Sequence, residues 1–275
     1  YNVNVDPGAA LNHASGTLTV NGEFRLQSST SANASYINTG GTLAVANDSV
    51  KIEQHISGLD HVYYLGSPVS GATKASIGLD DRILEYNNSS DSWNELNDSE
   101  SLKVGKGYVG KSSQDLLFSG AINTGTQVID LNRSTEGLGW NLLGNPYTAS
   151  INWDATSGLT KSNIVDAFWI YLDDQGRYGA YSYESGMSDN IDNAKIPSNH
   201  AFWVKVVEGE PTDTGSVTIK PEALELNTNT YLKSASSPKF PGYKLAAVSP
   251  AGTDETGVIF TTDASTGSDK YDTDK

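Results

Sequence analysis

The stretch GLGWNLLGNPYTASINWD, from Gly137 to Asp154, decides the fold expected for this chain. Its apolar run WNLL stops at the triplet GNP of residues 144–146. Glycine, asparagine and proline favour a tight turn over a continued strand or helix. The stretch therefore predicts a short apolar strand that ends in a turn.

An earlier part of the chain repeats this pattern. The segment GLDHVYYLGSPVSGATKASI, from Gly58 to Ile77, has Leu65 and Gly66 where the later copy has Leu143 and Gly144. An aromatic-rich segment follows each copy. The middle of the protein is therefore predicted to be one supersecondary unit that occurs twice.

The correspondence continues through both copies. DAFWIYLDDQGRYGAYSY matches DRILEYNNSSDSWNEL, and IPSNHAFWVKV matches LKVGKGYVGK. The paired positions are Asp166 with Asp81, Tyr171 with Tyr86, Tyr178 with Trp93, Phe202 with Tyr108, and Lys205 with Lys111. We predict two homologous antiparallel sandwiches, near Ile56–Asn123 and Leu138–Leu226. The second carries a longer loop, ESGMSDNIDNAK, which is expected at the surface.

The first 55 residues carry a shorter repeat. GTLTVNGEFRLQ begins at Gly16 and GTLAVANDSVKIE begins at Gly41, a distance of 25 residues. A period of about 20–30 residues with short strands is typical of a β-solenoid rung. This part is predicted to be the final turns of a longer β-helix or a strand pair added to the next domain, and two ordinary hairpins are the alternative.

Hydrophobic periodicity is two in both copies, and no stretch forms an amphipathic helix of useful length. The predicted fold class is all-β, with tandem duplicated antiparallel β-sandwich units preceded by β-solenoid-like rungs. The predicted domains are rungs over 1–55, a first sandwich over 56–136, a second over 137–230, and the truncated start of a further β domain over 231–275.

Composition excludes several classes of function. The 275 residues carry a net charge of −15 with a pI near 4.5, which repels phosphate backbones and anionic membranes. The absence of cysteine excludes disulfides and thiolate chemistry. No apolar run is long enough to span a bilayer, and the first residues do not form a signal peptide. The many Gly, Tyr, Asn, Ser and Thr residues are typical of extracellular β proteins.

No catalytic motif is present, so we predict that the chain is not an enzyme. The four histidines are scattered, and neither a GxSxG nor an HExxH pattern occurs. We expect no cofactor other than calcium, which prefers oxygen ligands. The candidate calcium ligands are Asp173 and Asp174 in LDDQGR, and Asp263, Asp269, Asp272 and Asp274 in the tail. Solvated turn carboxylates are the alternative.

Aromatic side chains give the candidate ligand site. Trp140 and Trp169 lie among apolar neighbours and are expected to be buried. Tyr178, Tyr181 and Tyr183 alternate with small residues in RYGAYSY, and we predict that they form one row on a strand face. Such a row could stack against sugar rings, and a cross-strand aromatic ladder is the alternative.

The motifs GWNL, GNPY and INWD resemble a module of large secreted and cell-surface proteins of the Bacteroidetes. These proteins are similar to adhesins and surface polysaccharide-degrading enzymes exported by type IX secretion. The resemblance implies a β-helical segment before the module and a β-sandwich after it. The chain departs from the pattern at Thr148, where proline is usual, and at Asn199 and His200, where glycine and glutamine are usual. Asp48, Ser49 and Val50 weakly match an O-glycosylation signal of the group.

We therefore predict a non-catalytic extracellular structural or adhesion module of a large secreted or cell-surface bacterial protein. A carbohydrate-binding accessory region of a polysaccharide-degrading enzyme is the alternative. The expected partners are extracellular polysaccharide or other surface proteins. Nucleic acid binding and membrane insertion are not expected, and the oligomeric state stays open.

Overall fold

The described part of the chain has an all-β fold, as predicted. The computed structural model describes residues 1–56, 62–79, 82–112, 114–172, 177–183, 187–189, 191, 194–208, 213–227, 242–249 and 252–260. The helical elements in these ranges are α1 (Lys74–Ile77) and three 3-10 turns at Asn47–Ser49, Asn88–Ser90 and Pro221–Ala223. A capping box between Thr73 and Ser76 begins α1, and Gly78, with φ +81°, ends it.

The N-terminal segment is a stack of parallel rungs. Its strands are β1 (Val3–Val5), β2 (Ala10–His13), β3 (Thr17–Thr19), β4 (Phe24–Leu26), β5 (Ser35–Asn38), β6 (Thr42–Ala44) and β7 (Val50–Gln54). Parallel pairs join β1 to β4, β4 to β7, β2 to β5, and β3 to β6. Thr17 pairs with Thr42, so the repeat of 25 residues aligns successive rungs and does not form hairpins. Phe24, Leu26 and Ile52 fill the interior.

The first sandwich begins with β7, which also serves as the last rung strand. Its further strands are β8 (Val62–Gly66), β9 (Val69–Ser70), β10 (Ile83–Asn87), β11 (Ser92–Glu95), β12 (Gly107–Lys111), β13 (Leu116–Phe118) and β14 (Ala121–Ile122). One antiparallel sheet has the order β11-β10-β12-β8, β13 pairs with β7, and β14 pairs with β9. The rungs and this sandwich share one continuous apolar core.

The second sandwich repeats this arrangement. Its strands are β15 (Gln127–Asn132), β16 (Trp140–Gly144), β17 (Ser150–Asn152), β18 (Leu159–Ser162), β19 (Ala167–Leu172), β20 (Arg177–Ser182), β21 (Met187–Asp189), β22 (Lys195–Ile196), β23 (Ala201–Lys205), β24 (Thr214–Ile219) and β25 (Leu224–Glu225). Its sheets have the orders β16-β23-β19-β20-β21, β15-β24-β18 and β22-β17-β25. β15 pairs with β24 and therefore belongs to the sheets of the second sandwich.

Strand order and register confirm the internal duplication. The order β8-β12-β10-β11 in the first sandwich corresponds to β16-β23-β19-β20 in the second. The matching pairs are Leu65–Tyr108 with Leu143–Phe202, Tyr86–Trp93 with Tyr171–Tyr178, and Val62–Lys111 with Trp140–Lys205. Every predicted correspondence among the described residues therefore holds in the register. Asp81, the predicted partner of Asp166, lies outside the described residues.

The two sandwiches contact each other reciprocally. Leu65 of the first bridges to His200 of the second, and Leu143 of the second bridges to Lys106 of the first. The amides of Gly66 and Gly144 each donate a hydrogen bond of 3.0 Å into the other sandwich. Equivalent residues thus meet across a pseudo-two-fold axis, as in an isologous dimer interface. A separate antiparallel hairpin follows, with strands β26 (Gly242–Ser249) and β27 (Gly252–Ile259).

Candidate functional site

The three tyrosines predicted to form one row lie on opposite faces of the sheet. Side chains alternate along β20, so Tyr178 cannot share a face with Tyr181 and Tyr183. Tyr178 is 41% exposed, and its hydroxyl lies 2.5 Å from that of Tyr64. Tyr181 is only 7% exposed, and Tyr183 packs against the core of the second sandwich. The prediction of a single aromatic row was wrong because it ignored the odd spacing between residues 178 and 181.

Tyr181 has a structural environment. Its ring packs 5.7 Å from that of Phe168, and its hydroxyl donates a hydrogen bond of 2.6 Å to Asp154 Oδ2. Burial raises the pKa of Tyr181 well above its usual range, and the nearby carboxylate of Asp154 adds to this shift. The neutral phenol is therefore the form that the fold stabilises.

We expect Tyr181→Phe to lower the free energy of unfolding by about 1–2 kcal/mol, because it leaves a carboxylate oxygen of Asp154 without its donor. Tyr178→Phe is the matched control. It also loses a hydroxyl hydrogen bond, but at an exposed position, and should change stability by no more than about 0.5 kcal/mol. Urea unfolding measures both values, and equal losses would contradict the assignment of Tyr181 to the core.

A cation lies close to Tyr183 in the same region. Lys161 forms an ion pair with Asp166 and donates a hydrogen bond of 3.1 Å to the carbonyl oxygen of Trp153. Its Nζ atom lies 4.8 Å from the ring centroid of Trp153 and 4.7 Å from that of Tyr183. The aromatic rings and the carboxylate together hold this ammonium group at the corner between β18 and β19. Sequence reasoning missed this cluster.

The outer faces of the two main sheets form an aromatic interface between the sandwiches. Trp203 packs against Tyr86 at 4.8 Å and against Trp93 at 6.0 Å. Trp140 packs against Trp203 at 6.3 Å and against Trp169 at 4.7 Å. The angles between these ring planes are 75–88°. Because edge-to-face rings interlock, this arrangement holds two sheets together and does not form a coplanar platform.

The expected burial of the tryptophans holds in part. Trp169 is 4% exposed, whereas Trp140 is half-buried beneath the ammonium group of Lys205 at 5.3 Å. Trp93 is 40% exposed, close to the value for Tyr178, its counterpart in the other copy. The duplication thus places one exposed aromatic residue on the second strand of each hairpin.

A seam of buried hydrogen bonds fastens the rungs to the second sandwich. Thr148 Oγ1 donates a bond of 2.7 Å to the carbonyl oxygen of Tyr36. Asn227 is 1% exposed and bonds to Ser35 and Ala34 in the rungs through its backbone amide and its side chain. These contacts cross up to 193 residues of sequence.

Two side chains of the second sandwich reach the N-terminal strands. The hydroxyl of Thr148 bonds to the rungs. Asn199 has φ +62° and donates a hydrogen bond of 3.2 Å to Gln54. Asparagine tolerates this left-handed backbone better than most residues. Both side chains therefore add contacts between the second sandwich and the N-terminal strands.

Several tyrosine hydroxyls are held neutral by burial. Burial raises the pKa of Tyr36 to about 12 and raises the pKa of five other tyrosines further above their usual range. The five are Tyr64, Tyr86, Tyr108, Tyr147 and Tyr181. Their unfolded pKa is about 10, so they contribute stability that is fully present below that pH and declines as the pH rises above it.

We expect the folded protein to lose stability between about pH 10 and pH 12, because unfolding releases phenols that ionise more easily in water. Absorbance of tyrosinate at 295 nm, followed together with circular dichroism, measures this effect. The six tyrosines with a raised pKa should ionise only as the β-structure is lost. Ionisation of all 14 tyrosines near pH 10 with the β-structure intact would contradict the prediction.

The candidate calcium ligands lie outside the described residues. This applies to Asp173, Asp174, Asp263, Asp269, Asp272 and Asp274. Among the residues that the structure describes, no group of three or more metal-ligating side chains occurs. Three open, polar grooves of about 290, 340 and 360 Å³ lie on the described surface. In the same part of the chain, no helix is both long and apolar enough to cross a membrane.

These features define a class of protein: a cysteine-free, all-β module in which a stack of parallel rungs is fastened to a sandwich that occurs twice. The chain belongs to the family described as Domain of unknown function (DUF8693), whose family model matches residues 1–218. That match covers the rungs, the first sandwich and most of the second. No curated protein and no solved structure matches the chain significantly.

Proposed function

We propose that this region is a non-catalytic structural or adhesion module of a large secreted or cell-surface bacterial protein. Its role is to join a β-solenoid rigidly to the domains that follow. The observation that supports this most directly is the seam at Thr148 and Asn227, where buried hydrogen bonds attach the rungs to the second sandwich. A flexible linker has no need of such contacts.

The internal contacts support a rigid connector in a second way. Strand β7 belongs to the rung stack and to the first sandwich at once, because it pairs with β4 on one edge and β13 on the other. The first sandwich then packs on the second through the bridges at Leu65 and Leu143. The three parts are thus connected in a closed triangle, which resists bending at any single junction.

Unfolding experiments test the connector role. If the parts form one rigid body, calorimetry should give a single transition whose van't Hoff and calorimetric enthalpies agree. In hydrogen-exchange measurements, the backbone amides of the rungs and of both sandwiches should be protected to a similar degree. Separate transitions for the rungs and the sandwiches would overturn the proposal, because independent domains cannot transmit orientation.

Carbohydrate binding is the second candidate, and the exposed ring of Tyr178 is the observation that favours it. The support is narrower than the sequence indicated, because Tyr181 and Tyr183 do not lie beside it. Affinity electrophoresis against plant and algal polysaccharides separates the candidates. Retention without turnover, if it is lost in Tyr178→Ala, supports glycan binding. Turnover of the polysaccharide supports an enzyme. If the protein is neither retained nor active, the structural role is the one supported.

A further inference from the structure

The duplication exposes a difference between two equivalent sheet edges. In the second sandwich, the outer edge of β20 pairs with the added strand β21, from Ala180–Asp189 to Ser182–Met187. The equivalent strand in the first sandwich is β11, which pairs only with β10 among the described residues. We propose that this free edge of β11 binds an extended, basic segment of a partner protein as an added antiparallel strand.

The backbone of β11 is oriented for such pairing. The amide of Leu96 donates a hydrogen bond of 2.9 Å to the carbonyl oxygen of Ile83. Hydrogen-bonded and non-hydrogen-bonded pairs alternate in an antiparallel ladder, so the bonds to β10 continue at Asn94. The N–H and C=O groups of Trp93 and Glu95 therefore point away from β10 and toward the free edge.

The edge lacks three of the usual protections against strand addition, which are lysine, proline and a bulge. The sequence SWNE of β11 contains neither lysine nor proline. Its register with β10 runs without interruption from Leu84–Glu95 to Asn87–Ser92, so it carries no bulge. Its short length and the charge of Glu95 still act against unselective pairing, so that a partner strand of opposite charge is favoured. Extended peptides bind such edges through main-chain hydrogen bonds and gain specificity from side-chain contacts.

Trp93 supplies an anchor for a partner side chain. It is 40% exposed, while Tyr86 at 5.4 Å and Trp203 at 6.0 Å hold its ring from the protein side. A rigid, partly exposed indole loses little conformational freedom when a partner packs on it. An apolar side chain of the added strand therefore gains a preformed contact surface beside the outward-facing backbone groups.

The charge around the edge selects a basic partner. Four exposed carboxylates lie on or just beyond β11, namely Asp91, Glu95, Asp98 and Glu100. Two of these carboxylates form ion pairs, Glu95 with Arg82 at 3.8 Å and Asp98 with Lys74 at 2.8 Å. On the neighbouring strand β10, Glu85 pairs with Lys103 at 3.2 Å. The charges of Asp91 and Glu100 therefore make this stretch negative. The whole chain carries a net charge of −15, so acidic segments are repelled and a second copy is a poor occupant. A segment with an apolar residue next to lysine or arginine fits both features.

The test uses the whole chain and a synthetic probe, an acetylated and amidated octapeptide in which lysine and threonine alternate with valine. We expect binding to protect the amides of Trp93 and Glu95 from hydrogen exchange, and to weaken several-fold when salt is raised. A peptide with glutamate in place of lysine, and one with a central proline, should not bind. Failure of the basic peptide to bind at millimolar concentration would overturn the proposal.

Three variants locate the site. Glu95→Pro removes an outward N–H without breaking the ladder to β10 and should abolish binding. Trp93→Ala should weaken binding at least tenfold, whereas Tyr178→Ala, at the equivalent position in the second copy, should not change it. Binding that survives Glu95→Pro would overturn the proposal. So would protection of Trp93 and Glu95 in the free protein that disappears on dilution, since a second copy would then be the occupant.

Discussion

Replacing Asn227 by alanine is expected to lower the free energy of unfolding by about 3–5 kcal/mol, although the Asn227 side chain is not part of a hydrophobic core. Its Nδ2 donates to the carbonyl oxygens of Ala34 and Thr148, at 3.0 and 3.2 Å. Its Oδ1 accepts from Ser150 Oγ and from the amide of Ser198, each at 3.0 Å. Alanine removes these four buried hydrogen bonds. Each such bond contributes about 0.5–1.5 kcal/mol, so that four of them account for a loss of this size.

Urea unfolding with circular dichroism measures the change. Asn94→Ala is the matched control, because Asn94 is exposed, and it should change stability by no more than about 0.5 kcal/mol. A graded variant, Thr148→Val, removes only the bond to Tyr36 and should cost about 1–2 kcal/mol. A loss below about 1 kcal/mol for Asn227→Ala would show that the seam does not hold the rungs to the second sandwich.

The elements of this fold could be predicted from the sequence because their signals are local. WNLLG forms β16, and its turn residues end the strand where expected. The internal repeat then aligned strands that lie far apart, and the register confirms Tyr86–Trp93 against Tyr171–Tyr178. Short strands with period two and a repeated motif thus contain enough information to align the two copies residue by residue.

The contacts that join these elements could not be predicted in the same way. Ser35 and Asn227 are separated by 192 residues, and neither lies in a motif that names the other as a partner. The sequence did contain one signal for these contacts, which is an asparagine at the end of each copy. Asn123 follows Ile122 in the first copy, and Asn227 follows Leu226 in the second. Asn123 also bonds across a junction, to the carbonyl oxygen of Pro146 at 3.0 Å. An asparagine at the same place in both copies thus marks a polar junction that apolar periodicity cannot reveal.

The prediction that three tyrosines form one row at the candidate ligand site was wrong for a different reason. Tyr178 and Tyr181 are three residues apart, and successive side chains of a strand point to opposite faces. An odd spacing within one strand is therefore enough to place these two rings on different faces. The open edge at β11 shows what the sequence alone leaves undecided, since only the pairing of β20 with β21 reveals that its counterpart lacks a neighbour among the described residues.

Gly66→Ala and Gly144→Ala are each expected to cost about 3 kcal/mol or more, because the pseudo-two-fold axis brings these two backbones into contact. A Cβ atom at Gly66 would lie 2.6 Å from Gly144 Cα, and one at Gly144 would lie 2.7 Å from Gly66 Cα. Neither residue needs a positive φ, so the cost is steric rather than conformational. Overpacking against a flexible side chain typically costs about 1–3 kcal/mol, and a backbone atom can yield less.

Gly110→Ala is the control for the loss of a glycine in the same sheet. The nearest neighbour of a Cβ atom at Gly110 would be Leu79 Cδ1 at 3.4 Å, so this variant should change the free energy of unfolding by less than about 1 kcal/mol. In the double variant, both methyl groups push the same two backbones apart, and the second should cost less than it does alone. Additive losses in urea unfolding would mean that the two glycines do not share one contact, and the reciprocal packing of the sandwiches would then be wrong.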